Sequence, residues 1–288
     1  MSRSGSVTCL GCGGKLAFNW IVCPLCGTRI DLDEPALVER LQESIATDIK
    51  EFHAAKWLSR EANFFEETKT HRIEDWSWGS RLEWPAAQWL LARSFYAAPY
   101  LPQAEIDRVE TLYKSAAEKG FPPAQNDYGY LLAQRYKNYE ARIKWVTRAS
   151  AQGYIEAKFN SVYLLKELGR PEPELVAALR LVADLGFPRA QDEMGSLHYH
   201  GFNGICRQFP KDYRVAFEYY LKAATQGFGE AQRTIAWLYF KGEGVGRNIS
   251  AAREWLVKAE RQKVYGTQFL RNRLDSPWWQ LIDFVRGA

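Results

Sequence analysis

Apolar residues at Val38, Leu41, Ile45, Ile49 and Phe52 recur at steps of three and four, the spacing that lays one stripe along a helix. Asp33-Glu34-Pro35 opens that helix with an acidic cap and a proline in the first turn. The opposite side is charged, so the helix either covers the end of a larger helical stack or pairs with a partner helix, and the covering role is favoured. Residues 62–80 lose the period and gather charges with Trp76 and Trp78, which reads as a connector. Further on, helical periodicity returns over Arg108–Ala117, Tyr139–Ala151, Glu174–Leu185, Tyr213–Thr225 and Ser250–Glu260. The first four of these run up to Gly120, Gly153, Gly186 and Gly227, where glycine permits a left-handed cap. Each of those glycines has an alanine four residues later, and the glycines are 33, 33 and 41 residues apart. A period of this size predicts helix pairs stacked as a repeat solenoid.

The alanine marks the other helix of each pair. Ala87-Gln88, Ala124-Gln125, Ala190-Gln191 and Ala231-Gln232 share a dipeptide that Ala157-Lys158 varies. A small residue returns five positions later at Ala92, Gly129, Gly195 and Ala236, where two helix backbones could approach closely. Pro85, Pro122, Pro123 and Pro188 lie just upstream, suited to a first helical turn. The eight extra residues of the longest step fit a loop from Gly201 to Pro210. These segments resemble the Sel1-like repeat family, relatives of the tetratricopeptide solenoids. The resemblance is strongest over Ile235-Ala236-Trp237-Leu238-Tyr239-Phe240-Lys241-Gly242-Glu243-Gly244-Val245, then Ala251-Ala252, Trp255 and Lys258-Ala259. It covers roughly residues 80–270 and implies an all-α, helix-turn-helix solenoid of about five units. The Gly-x-Gly-Val turn occurs only in the last unit, and Glu83 stands where a glycine would precede Ala87. The expected organisation is a small module over 1–30, the amphipathic helix and connector over 31–79, the solenoid over 80–275 and a capping helix over 276–288.

Four of the five cysteines change the picture at the amino terminus. Cys9-x-x-Cys12 and Cys23-x-x-Cys26 are each followed by glycine, with Ala17–Val22 between them as a candidate short hairpin. Two thiolate pairs on tight turns predict a tetrahedral four-cysteine zinc site, structural because protein sulfur fills every position. A redox dithiol or a pair of disulfides is the alternative, but a redox pair ordinarily comes singly beside a βαβ unit. Residues 7–30 resemble the short bacterial zinc-ribbon family, whose members bind nucleic acid or protein. Cys206, with His198 and His200 nearby, lacks a carboxylate or further thiol to complete a second metal site and reads as incidental.

A hydrophobic fraction of 47% with 14% aromatics argues against disorder. The net charge of +4 is small and uneven: Arg3, Lys15 and Arg29 meet no acid in residues 1–30, whereas 31–83 hold 13 acids against 7 bases. That falls short of a dedicated nucleic-acid face. With neither a signal-like leader nor a run of about 18 apolar residues, the expectation is a cytoplasmic, bacterial protein without a membrane span.

Catalytic candidates are thin. His53 and His71 have no nucleophile motif nearby, and Gly242-x-Gly244-x-Gly246 lacks both the strand and the Lys-Ser/Thr of a phosphate loop, so it reads as an inter-helix turn. The expectation is therefore no enzyme, with recognition by surface. Positions two, three and six after each marker alanine are predicted to face away from the packed side. They are Trp89, Leu90 and Arg93; Asn126, Asp127 and Tyr130; Phe159, Asn160 and Tyr163; Asp192, Glu193 and Ser196; Arg233, Thr234 and Trp237. From these, Arg93, Asn126, Tyr130, Asn160, Tyr163, Asp192, Arg233 and Trp237 are the candidate partner contacts, with irregular repeat packing as the competing role for any of them. The function expected is a non-enzymatic adaptor or scaffold that binds a protein or peptide through the solenoid and another through the ribbon. The alternative is a regulator contacting DNA or RNA through Arg3, Lys15, Trp20 and Arg29 at the ribbon.

Overall fold

The computed structural model describes residues 7–8, 15–16, 35–57, 75–77, 80–81, 83–96 and 102–276. At the amino terminus β1 (Val7–Thr8) pairs antiparallel with β2 (Lys15–Leu16), Val7 opposite Leu16 and Thr8 opposite Lys15. The hairpin expected over 17–22 and all four amino-terminal cysteines lie outside the described residues. So does the expected closing helix after Ser276.

The remaining elements among the described residues are helices. The long helix α1 (Pro35–Trp57) begins at the proline that its sequence marks. Helix pairs come next: α2 (Pro85–Tyr96) and α3 (Gln103–Glu118), α4 (Pro122–Tyr136) and α5 (Tyr139–Ala151), α6 (Ile155–Glu167) and α7 (Glu172–Asp184). They continue as α8 (Pro188–His200) and α9 (Tyr213–Thr225), then α10 (Gly229–Lys241) and α11 (Ile249–Arg261), closed by α12 (Thr267–Asp275). The chain divides into two compact units, one of Met1–Lys56 with Arg60–Ala157 and one of Trp57–Ser59 with Lys158–Ala288. Within the first, α2 packs on α3, α3 on α4 and α4 on α5. Within the second, neighbours from α7 through α12 pack in succession.

The turn between one pair and the next is set by chemistry that recurs. Gly120, Gly153, Gly186 and Gly227 have φ of 88°, 89°, 92° and 93°, a conformation that costs a side chain dearly. The residue after each is aromatic, and its amide closes the cap: Phe121, Tyr154, Phe187 and Phe228 donate to the carbonyls of Ala116, Ala149, Val182 and Ala223 at 3.1–3.3 Å. That ring then seeds the next core, and Phe187 and Phe228 are buried. The marker alanines Ala87, Ala124, Ala157, Ala190 and Ala231 are all fully buried, as their spacing requires.

The small residues five positions on mark real close approaches. A Cβ at Gly129 would lie 3.2 Å from the Arg142 carbonyl oxygen, and one at Gly195 would lie 2.9 Å from the Tyr220 ring. Gly244 serves the inter-helix turn for the same reason, since a Cβ there would meet the Tyr213 carbonyl oxygen at 1.9 Å. The long loop after α8 is also ordered by its own sequence: Asn203 Oδ1 accepts from the amides of Ile205 and Cys206 at 2.9 and 3.1 Å. Both of those residues are buried.

Candidate interaction surface

In the first unit α1 lies against α2. Ile45, Ile49 and Phe52 join the core of the first helix pairs, and Phe52 meets Trp89 edge to face at 4.9 Å between ring centroids. Trp76 is anchored to the same helix by its indole N–H, which donates to Asp48 Oδ2 at 2.8 Å. Trp89, Leu90, Asn126 and Asp127, predicted to face outward, are consequently buried. Asp127 is surrounded by donors: Trp89 Nε1 donates to it at 2.9 Å, Asn126 Nδ2 at 3.0 Å, and an Arg93 nitrogen stands 3.6 Å away. Arg93 also lies over the Phe52 ring at 5.5 Å. Tyr130 is covered by Arg142, whose guanidinium sits 4.4 Å from its ring and donates to its hydroxyl at 3.2 Å. Burial beside Asp127 pushes the Tyr113 hydroxyl well above its ordinary range. Of the candidates here, Asn126 corrects to a packing residue at 1% exposure, while Arg93 is engaged by Asp127 and Tyr130 by Arg142. Register alone misses this because the covering helix comes from elsewhere in the chain.

In the second unit the corresponding positions stay partly open. Phe159 is the exception, buried against Phe187 at 5.3 Å between centroids. Tyr163 donates to Glu193 at 2.5 Å, which joins α6 to α8. Asn160, Asp192, Arg233 and Trp237 are half-buried. Asp192 Oδ1 and Arg233 Nε are sealed from solvent without a hydrogen-bond partner. The Asp192 carboxyl is pushed up to about 7, chiefly by burial and then by Glu230 and Glu193, against the pull of Arg233 and Arg189. Trp237 stacks on Phe269, with Lys241 5.4 Å and Arg273 5.9 Å from its ring. The stacking of Trp237 on α12 had no signal in the repeat pattern.

Cys206 is not part of a metal cluster, and no group of three His, Cys, Asp or Glu among the described residues could hold one. Its thiol points at the Gln208 carbonyl at 3.4 Å and is raised by burial. His198 stacks on Tyr219 instead. Among the described residues no helix is long and apolar enough to cross a membrane.

The Sel1 repeat family matches this chain at residues 122–154, 188–228 and 229–264. The first match spans α4 and α5, the second α8 and α9, the third α10 and α11. An uncharacterized protein of Neisseria meningitidis serogroup B is 30% identical over 188 residues, 56% of this chain, and the match spans only 40% of that relative's length. Among solved structures, a Sel1 repeat protein from Oxalobacter formigenes superposes with a TM-score of 0.58 at 22% identity, covering 83% of this chain and 79% of that one. A protective antigen of uropathogenic Escherichia coli with the same repeat fold gives 0.51 at 19% identity, over 91% of this chain and 61% of the other. An immunity protein of Pseudomonas aeruginosa gives 0.52 at 15% identity, over 73% and 81%. The chain carries Sel1 repeats in an all-helical repeat fold.

Proposed function

We propose that the protein is a non-catalytic adaptor with two recognition modules, the helical repeats and an amino-terminal zinc ribbon, working in the cytosol. The observation that carries the first module is the contrast between the two units. In the first, the outward row is filled by α1 through Phe52, while in the second Asn160, Asp192, Arg233 and Trp237 remain partly open. Tryptophan and arginine, here Trp237 and Arg233, are among the side chains that dominate protein interfaces.

The ribbon rests on its donor set and on one strand pair. Val7–Thr8 pairs with Lys15–Leu16, and Cys9 and Cys12 fall between the two strands in the sequence. Cys9, Cys12, Cys23 and Cys26 would hold Zn2+ as four thiolates, leaving no position for water, so the ion would fold the module without reacting. Affinity capture with the full chain and with a chain lacking residues 1–30 tests the division of labour. A partner retained by both belongs to the repeats, and one lost with the truncation belongs to the ribbon. Failure of both chains to retain any protein would defeat the adaptor reading.

A further inference from the structure

We infer that Trp237 and Lys241 of α10 and Phe269 of α12 form a docking face for a partner segment that carries carboxylates beside apolar side chains. This rests on the adaptor reading and specifies its partner's chemistry.

α12 lies on α10 through Leu270 and Leu274, which share a core with Ala236 and Phe240. That seating sets the outer rings side by side. Trp237 is packed against the cores on both sides of α10 and stacks on Phe269, with centroids 6.4 Å apart and planes inclined by 29°. Phe269 nevertheless keeps 56% of its surface exposed, and Tyr265, beside the Gly266 that opens α12, keeps 97%. Aromatic surface of this size is left to water although the leucines alone seat the helix.

Cations stand on these rings. Lys241 is 5.4 Å and Arg273 5.9 Å from the Trp237 centroid, and Arg273 is 4.7 Å from that of Phe269. The acids of the adjoining turns are engaged by other groups: Glu243 accepts from Tyr199 at 2.5 Å, Glu260 from Arg271 at 2.9 Å, and Asp275 from Arg253 at 2.5 Å. Lys241, exposed at the end of α10, has no carboxylate partner among the described residues. Arg233, one turn before Trp237, is drawn towards Asp192 and is not counted in this face.

The complementary partner follows from that pairing of charge with apolar surface. A carboxylate arriving at Lys241 meets an ammonium already held against an aromatic ring, and a neighbouring apolar side chain covers Phe269. A carboxylate alone would gain only a screened surface ion pair, which is worth little, so the apolar neighbour is part of the recognition. Single-stranded nucleic acid fits less well, because both rings already carry a cation that a base would have to displace before stacking.

The test measures fluorescence anisotropy of labelled, capped dodecapeptides against the full-length protein, one made of Glu-Phe-Asp repeats and one of Gln-Phe-Asn repeats, with an oligothymidylate of equal length. The acidic peptide is expected to bind most tightly and to weaken as salt is added. Lys241→Glu is expected to weaken it roughly tenfold, the scale of one hydrogen bond between charged groups. Phe269→Ser, at an exposed position, should weaken it as well. Lys144→Glu makes the same charge change at an exposed position of α5 in the first unit and should leave it nearly unchanged. Equal binding of the neutral peptide, equal loss in Lys144→Glu, or tighter binding of the oligothymidylate overturns the inference. Binding gained only in a Trp278→Ala, Trp279→Ala double variant assigns the face to the chain's own residues 277–288, and self-association abolished by Phe269→Ser assigns it to a second copy; either result overturns it too. A captured protein partner that binds Lys241→Glu and Phe269→Ser as tightly as the parent chain removes this site and leaves the adaptor reading standing.

Discussion

Gln152 donates its side-chain amide to Gln125 Oε1 at 2.7 Å, while Gln125 donates its own to the Ala117 carbonyl at 3.1 Å. One buried glutamine thereby ties the ends of α3 and α5 to α4. The same relay joins Gln226, Gln191 and Ala183 at 2.7 and 3.1 Å, and Gln262, Gln232 and Ala224 at 2.7 and 3.2 Å. In these three units the alanine lets the helices approach and the glutamine adds a second donor to a helix-end carbonyl that already accepts from the amide of the cap glycine. Where Lys158 replaces the glutamine, Leu185 replaces its partner, so both halves vanish together. Gln191→Leu removes one of two donors to the Ala183 carbonyl, which keeps the Gly186 amide, and one acceptor of the Gln226 amide, which keeps the Lys222 carbonyl, and is expected to cost about 0.5–1.5 kcal/mol in urea unfolding. A change within experimental error would mean the relay contributes nothing net.

Gly195 is required by sterics and not by backbone angle. Its Cβ position lies 2.9 Å from the Tyr220 ring, which is itself buried in the core of α9 and α10. Gly195→Ala forces that ring or the helix aside and is expected to destabilise by about 1–3 kcal/mol, whereas Gly204→Ala, with nothing within 4 Å, should be close to neutral. Thermal melts of the pair distinguish the two, and equal melting points would refute the close-approach argument.

The repeat helices were legible because their chemistry is local. Tyr139–Ala151 and Tyr213–Thr225 end where periodicity and the following glycine place them. The start of α3 was not, since Gln103–Asp107 precedes the apolar period and is held as helix by Pro102 and by a first turn whose carbonyls pair forward. The outward row failed in the first unit for a long-range reason: nothing near Asp127 in the sequence says that Trp89 will donate to it and that Phe52 will pack on Trp89. The glutamines ahead of the cap glycines carried a signal too, but a polar residue at a helix end ordinarily reads as solvated.

Lys263 occupies the place that glycine holds in the earlier caps. Its φ is 56°, and Val264 donates to the Ala259 carbonyl at 3.3 Å just as the aromatics do. A non-glycine residue in this region is strained by roughly 1–2 kcal/mol. Lys263→Gly relieves that and loses part of the gain to unfolded-chain entropy, so a net stabilisation of about 0.5–1 kcal/mol is expected. A lower melting temperature would show that the lysine side chain makes a contact worth more than the strain.

Cys23→Ser isolates the proposed ribbon. The variant is expected to lose its bound zinc, measured by elemental analysis of the purified protein, with the far-ultraviolet helix signal nearly intact because α1 through α12 draw no ligand from it. Wild-type protein with no stoichiometric zinc would remove the metal from the proposal, and loss of the helix signal would show that the repeats depend on residues 1–30.

Asp192 gives the protein a pH dependence of unusual sign for a carboxylate. Its folded-state value of about 7 lies above the ordinary 3.8, so between those values the unfolded chain releases the proton first. Stability from this group is therefore present below pH 4, declines as pH rises towards 7 and is fully lost above it. Asp192→Asn, which cannot ionise, should match the protonated wild type at acid pH and exceed the wild type at pH 8 by on the order of 1–3 kcal/mol. Urea unfolding across that range measures it. A variant less stable than wild type at pH 8 would mean that the ionised carboxylate already has a counter-ion in the free protein, which contradicts the orphaned Oδ1.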